Sequence, residues 1–304
     1  MRDAQELSPA PLFDPPVGPP HLAVRRDGRM LNAMTVDVED YFQVEAFANI
    51  LQRSDWDRLP QRVERNTDRL LEVFADAGVK ATFFTLGWVA NRYPSLIRRI
   101  VSGGHELASH GLQHQRADRQ SPDEFRADVR QAKALLEELG GVPVRGYRAA
   151  TFSIGRGNWW AYRILEEEGY AYSSSVFPIT HDLYGMPEAP RRRFTPSGSS
   201  IVEIPLTTAR IFGKNLPCSG GGYFRLLPYA LSHWGLARVN QRDGMPGIFY
   251  CHPWEFDPHQ PRQIQAPLKS RLRHYTNLKK MEGRLIRLMG DFSWGTMNDV
   301  FFGA

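Results

Sequence analysis

From residue 31 onward, short apolar runs alternate with longer amphipathic ones. The run Leu31–Val38 has the pattern of a strand. Residues 61–77 follow with Val63, Leu70, Leu71, Val73 and Phe74 near helical spacing, and Gly78 marks the stop. A strand is expected over 80–86, a helix over 89–102 closed by Gly103-Gly104, and a short strand over 105–108. Ser121 before Pro122 is a helix start, with serine as cap and proline in the first helical position, for a helix reaching Leu139. Further strands are expected over 144–149, 170–174, 201–206 and 247–252, with helices over 159–168 and 228–241 and a basic helix over 269–289. Alternation this regular implies an α/β fold with a mainly parallel sheet, open or closed into a barrel. Asp37, Glu39, His110, Arg148 and His252 all fall at the C-terminal ends of expected strands, where (β/α) barrels place their chemistry.

Residues 1–28 are rich in proline, including Pro15-Pro16 and Pro19-Pro20, and are expected to form a flexible arm. The chain has 304 residues, 42% hydrophobic and 12% aromatic, enough for one large domain with a packed core and not the composition of a disordered chain. The net charge of +5 is mild, and no Lys/Arg run exceeds the three of Arg191-Arg192-Arg193, so no nucleic-acid partner is expected. An anionic polymer substrate fits that balance, as does an ordinary solvated surface. The two cysteines, Cys218 and Cys251, make no disulfide framework, and Cys251 sits in an apolar run as a buried thiol. The first twenty residues lack the layout of a secretory signal, and apolar windows such as 81–90 are too short to span a bilayer. A cytoplasmic location is expected, alone or beside membrane-bound machinery.

The chemistry concentrates in two places. In Ser109-His110-Gly111-Leu112-Gln113-His114, the two histidines are four apart, so both imidazoles reach one point if the segment starts a helix. In Asp37-Val38-Glu39-Asp40, Asp37 and Glu39 point the same way from a strand end, and three acids this close repel one another without a cation. Two histidines and a carboxylate make a metal site with positions open for water and substrate. The bland alternative is a hydrated loop. His252, ending the run from Ile248 before Pro253, is either catalytic or a core histidine. Arg148 either pairs with one of the acids or lies on the surface. His105, at a strand start, is read as structural.

In the combination of these motifs the chain resembles the NodB-homology polysaccharide deacetylases, carbohydrate esterase family 4, over roughly residues 30–257. Asp37-Val38-Glu39-Asp40 resembles the family's first motif. His110-Gly111-Leu112-Gln113-His114 resembles its His-(Ser/Thr)-x-x-His motif with glycine in place of the hydroxyl residue. Arg148-Ala149-Ala150-Thr151 resembles Arg-x-Pro-aromatic, with alanine for proline and threonine for the aromatic. Ile248 to His252 matches the last motif. The Asp-Val-Glu-Asp-Tyr-Phe form, the loop from Gly220 to Arg225 and the His-Pro-Trp-Glu-Phe-Asp run resemble the subgroup encoded with bacterial exopolysaccharide and exosortase (PEP-CTERM) loci.

The resemblance implies a distorted (β/α) barrel of about seven parallel strands, spanning 29–258, with a helical extension over 259–304 packed on it. It implies N-deacetylation of N-acetylhexosamine units in a polysaccharide or oligosaccharide. His110, His114 and an acid would hold a divalent ion, with Zn²⁺ favoured over Co²⁺, Ni²⁺ or Fe²⁺. That acid is Glu39 or Asp40, with Glu39 favoured because it shares a face with Asp37. Asp37 would be the general base oriented by Arg148, the backbone near Thr151 would help bind the oxyanion, and His252 would protonate the departing amine. Tyr41, Trp160, Tyr223 and Trp254 are the aromatics expected against the sugar. Where relatives carry an acid that tunes the catalytic histidine, this chain has Ser173; either that acid is missing, or Asp182 or Glu255 substitutes for it. Two rival readings remain: a metal-independent amide or ureide hydrolase of the allantoinase type, and a catalytically weak glycan-binding protein.

Overall fold

In the computed structural model, which describes residues 12–13 and 28–303, the alternation read from the sequence becomes one curled sheet. Its first half comprises β1 (Leu31–Val38), α1 (Val63–Ala77), β2 (Thr82–Thr85), α2 (Gly87–Arg92), α3 (Pro94–Ser102), β3 (Glu106–Ser109), α4 (Pro122–Gly140), β4 (Gly146–Tyr147), α5 (Ala161–Glu167) and β5 (Tyr172–Ser173). The second half continues with β6 (Val202–Glu203), β7 (Thr208–Ile211), β8 (Lys214–Pro217), α6 (Gly221–Leu226), α7 (Tyr229–Gln241), β9 (Ile248–Cys251), α8 (Leu268–Tyr275), α9 (Leu278–Asp291), β10 (Ser293–Gly295) and α10 (Met297–Phe301). Strands β9-β1-β2-β3-β4-β5-β6 run side by side and parallel, and β10 adds to the first residues of β1. The path does not close by a ladder between β6 and β9. Instead Thr207 accepts from Ile248 N–H and Ser219 from Tyr250 N–H, so the chain around β7 and β8 fills the gap. The result is the distorted barrel expected from the sequence.

The period-two rule places the site. On β1, Met34, Val36 and Val38 pack outward with Leu70 and Phe74 of α1, Ile100 of α3 and Leu285 of α9. Ala33 packs inward with Phe84, Ala108 and Tyr250, and Thr35 and Asp37 share its face. Gly78, left-handed at φ 63°, ends α1, and Ser121 caps α4 by accepting from Glu124 N–H.

Three differences from the sequence reading have local causes. The helix expected over 89–102 is two helices, because Pro94 forces Tyr93 out of helical geometry, to φ −127° and ψ 64°. The basic helix expected over 269–289 breaks at Asn277, which is left-handed at φ 56°. The antiparallel hairpin β7–β8 and the three-residue β10 were not legible as strands. Most of the expected arm lies outside the described residues. Of its length, Phe13 packs edge-on to Trp159 and Phe194.

Candidate metal centre and catalytic cavity

The inward face of β1 opens into a cavity of about 410 Å³ lined by Asp37, Glu39, His110, His114, Thr151 and His252. His110 follows β3, and its Nδ1 lies 2.8 Å from the Arg148 carbonyl. A carbonyl only accepts, so Nδ1 carries the proton and Nε2 keeps its lone pair. Burial lowers the His110 pKa to about 4, so the ring is neutral, as a metal ligand must be. His114 does not reach the site from a helix, as the four-residue spacing suggested. Residues 110–116 form a loop, with Gly111 at φ 80° and His114 at φ 53°. Asp128 shapes it by accepting from Leu112 N–H at 2.9 Å, and a Cβ on residue 111 would sit 2.8 Å from that carboxylate. Glycine at this position, in place of the hydroxyl residue, is thus what the turn requires.

Glu39 Oε2 lies 2.7 Å from His114 Nε2, and the ligating atoms of Glu39, His110 and His114 all lie within 4.8 Å of one another. Burial alone would raise the Glu39 carboxyl; the neighbouring His114, with His252 and His110, holds it well below the usual carboxylate range. Two imidazoles and one carboxylate converging on a point fit a divalent ion such as zinc. Asp40 is excluded from this group. Its Oδ2 accepts from the N–H groups of Arg62 and Val63, at 2.6 and 2.9 Å, and its Oδ1 accepts from Tyr41 N–H. It closes the first turn of α1 and turns away from the cavity, and burial raises its pKa to about 6.

Asp37 Oδ1 accepts from Arg148 at 2.7 Å. Arg148 is fully buried, not superficial; it also donates to Thr35 Oγ1 and to Ser174, and lies 4.0 Å over the Phe84 ring. The other Asp37 oxygen is 4.0 Å from His252 Nε2. Thr151 lines the cavity in left-handed geometry, φ 57°, and is followed by Phe152 at φ 49°. Such paired strain persists only under tight support. Here Ser175 Oγ accepts from Ala149 N–H, and Ser153 Oγ bridges Ala117 and Ala150, in place of the missing proline.

His252 Nδ1 lies 3.1 Å from Glu255 Oε2, and Glu255 Oε1 accepts from Arg225 Nε at 2.6 Å. Of the two acids left open by the sequence, Glu255 is the partner. Asp182 is held instead by Lys269 and Arg273. Burial alone would lower the His252 pKa; the Glu255 hydrogen bond and the charges of Glu39, Glu255 and Asp37 push it up to about 9. Trp254 donates to Glu39 Oε1 at 3.0 Å, and its ring stacks between those of His252 and His274. Tyr223 lines the cavity as expected. Tyr41 and Trp160 do not. Tyr41 is fully buried with Phe42 and Phe47, and Trp160 packs edge-on to Phe125 of α4. His105 is structural, its Nδ1 accepting from Ala81 N–H.

Arg225, His274 and His181 are cavity residues that sequence reasoning missed. Arg225 stood in the quoted glycine-rich loop, but nothing in its spacing revealed a buried partner for Glu255.

Residues 55–170 match the family model described as polysaccharide deacetylase. Residues 174–302 match a model described as a domain of unknown function, DUF3473. A chitooligosaccharide deacetylase of Bradyrhizobium sp. is 39% identical over 110 residues, 36% of this chain and 48% of its own length. The chain thus spans about half the length of that relative. A polysaccharide deacetylase structure from Mycobacterium smegmatis superposes with a TM-score of 0.59 at 20% identity, covering 95% of this chain and 94% of its own. The Puue allantoinase structure gives 0.60 at 16% identity, covering 97% of each chain. These two likenesses concern the fold. The segment of unknown function supplies Arg225, His252, Trp254 and His274 and the first segment supplies His110, His114 and Thr151, so both segments line one cavity.

Proposed function

We propose that the chain hydrolyses the acetamide of N-acetylhexosamine units in a glycan, in a reaction that depends on a divalent ion, zinc by preference. The observation that carries this reading is the convergence of Glu39, His110 and His114 beside the Asp37–Arg148 pair and the His252–Glu255–Arg225 chain, in one cavity. Glu39, His110 and His114 would hold the ion, whose contribution is Lewis-acid polarisation of the acyl oxygen and acidification of water. Asp37, oriented by its hydrogen bond from Arg148, takes the proton from the attacking water. The backbone at Thr151 faces the position where negative charge develops. His252, kept charged by Glu255, hands its proton to the nitrogen as the C–N bond breaks, which turns a poor leaving group into an amine. Tyr223 gives the sugar an apolar face to rest on, whereas both faces of the Trp254 ring are taken by His252 and His274.

The resemblance to the exopolysaccharide-locus subgroup extends this to a bacterial exopolysaccharide modified beside membrane-bound synthesis machinery. No helix among the described residues is long and apolar enough to cross a membrane. The likeness to an allantoinase fold raises a metal-free ureide hydrolase as the rival, and the convergent histidine pair favours the deacetylase. Acetate release from chitooligosaccharides, run beside ureide turnover, separates them. Acetate without ureide turnover is expected, and ureide turnover alone would refute the reading.

A further inference from the structure

Helix α8 presents two unlike faces. Ser270, Arg273 and His274 look into the cavity. Leu268 and Leu272, one turn apart, point the other way and are 67% and 57% exposed. Ile264, just before the helix, is 72% exposed, and Leu226 of the adjoining α6, on the cavity rim, is 41% exposed. Lys269 and Arg271 flank the leucine pair. Between Asp257 and Glu282 the chain carries six Lys/Arg and no acid. Asp182 engages Lys269 and Arg273, which leaves Arg262, Arg271, Lys279 and Lys280 as the main source of attraction. A soluble polyanion would be met by the cations alone and gives no reason for large apolar side chains among them. A basic helix with an exposed apolar stripe is the arrangement that settles into the headgroup layer of a bilayer.

We propose that the outer face of α8, with Ile264, docks on an anionic phospholipid surface. The docking deepens the glycan-deacetylase reading, on which its consequence rests: the inner face of the same helix then holds the cavity close to glycan carried at that surface.

The test is sedimentation of the full chain with phosphatidylcholine vesicles, with and without phosphatidylglycerol. Binding to the phosphatidylglycerol vesicles is expected, weakened by salt. It should fall about tenfold both in Leu268→Ser/Leu272→Ser and in Arg271→Gln/Lys280→Gln, with acetate release from a soluble chitooligosaccharide unchanged. No binding, equal binding to both vesicle types, or full binding by the leucine variant would overturn the proposal. Vesicle binding by a chain that releases no acetate would support the docking and count against the deacetylase reading alone.

Discussion

Asp37 and Glu39 stand two residues apart and differ in role because of what each faces. Asp37 meets a buried guanidinium and Glu39 meets an imidazole. Asp37→Asn keeps the size and removes the basicity, so turnover should fall about 10²-fold or more with metal content intact, as checked by acetate release beside elemental analysis. Glu39→Ala and His110→Ala should instead lose stoichiometric metal. Arg225→Met should act through Glu255. Glu255 would lose its guanidinium and keep His252, at a cost of about 1–3 kcal/mol for the charged hydrogen bond, and urea denaturation should show that loss. The Asp37, Glu39, His110, His114 and His252 positions were legible in the sequence because strand ends and motif spacing mark them. Arg225 and His274 were not, since a side chain that reaches the cavity from a short helix has no period to betray it. Tyr41 and Trp160 were misplaced for the converse reason: aromatic character marks core and sugar platform alike.

At the scale of elements, the site depends on how helices and loops are tied off. Asp40 closes α1, so Asp40→Ala should lower stability by about 1–2 kcal/mol while leaving metal content unchanged. Metal loss in that variant would return Asp40 to the ligand set. The i, i+4 spacing of His110 and His114 suggested a helix, but Gly111 and the Asp128 anchor select a loop that still brings both rings together. The function of the spacing was legible and its conformation was not. His105 ties β3 to β2 as a neutral ring, its pKa lowered to about 4 by burial and by Lys80. The unfolded chain takes up that proton near pH 6.5 and the folded chain only near pH 4, so stability is present above about 6.5 and is lost as pH falls toward 4, by up to roughly 3 kcal/mol. Urea midpoints at pH 7 and pH 5 should therefore converge between the parent chain and His105→Gln. A constant gap would show that this histidine is not the group titrating.

For the whole molecule, the boundary between the two family matches falls at β5, in the middle of a continuous sheet. A chain ending at residue 171 would lack β9 and β10, both neighbours of β1, and is expected neither to fold nor to hold metal. The barrel was legible from strand–helix alternation. The hairpin that fills its gap and the returning β10 were not, because their register is set by partners distant in sequence. The central claim is that one cavity joins a metal centre to an acid–base pair for amide hydrolysis. Its most direct test is acetate release from an N-acetylated chitooligosaccharide by the full chain, stripped of metal with a chelator and then reloaded with Zn²⁺. Loss of acetate release on stripping and its return on reloading are predicted. Equal release in the stripped and reloaded forms, or none in either, would contradict the account.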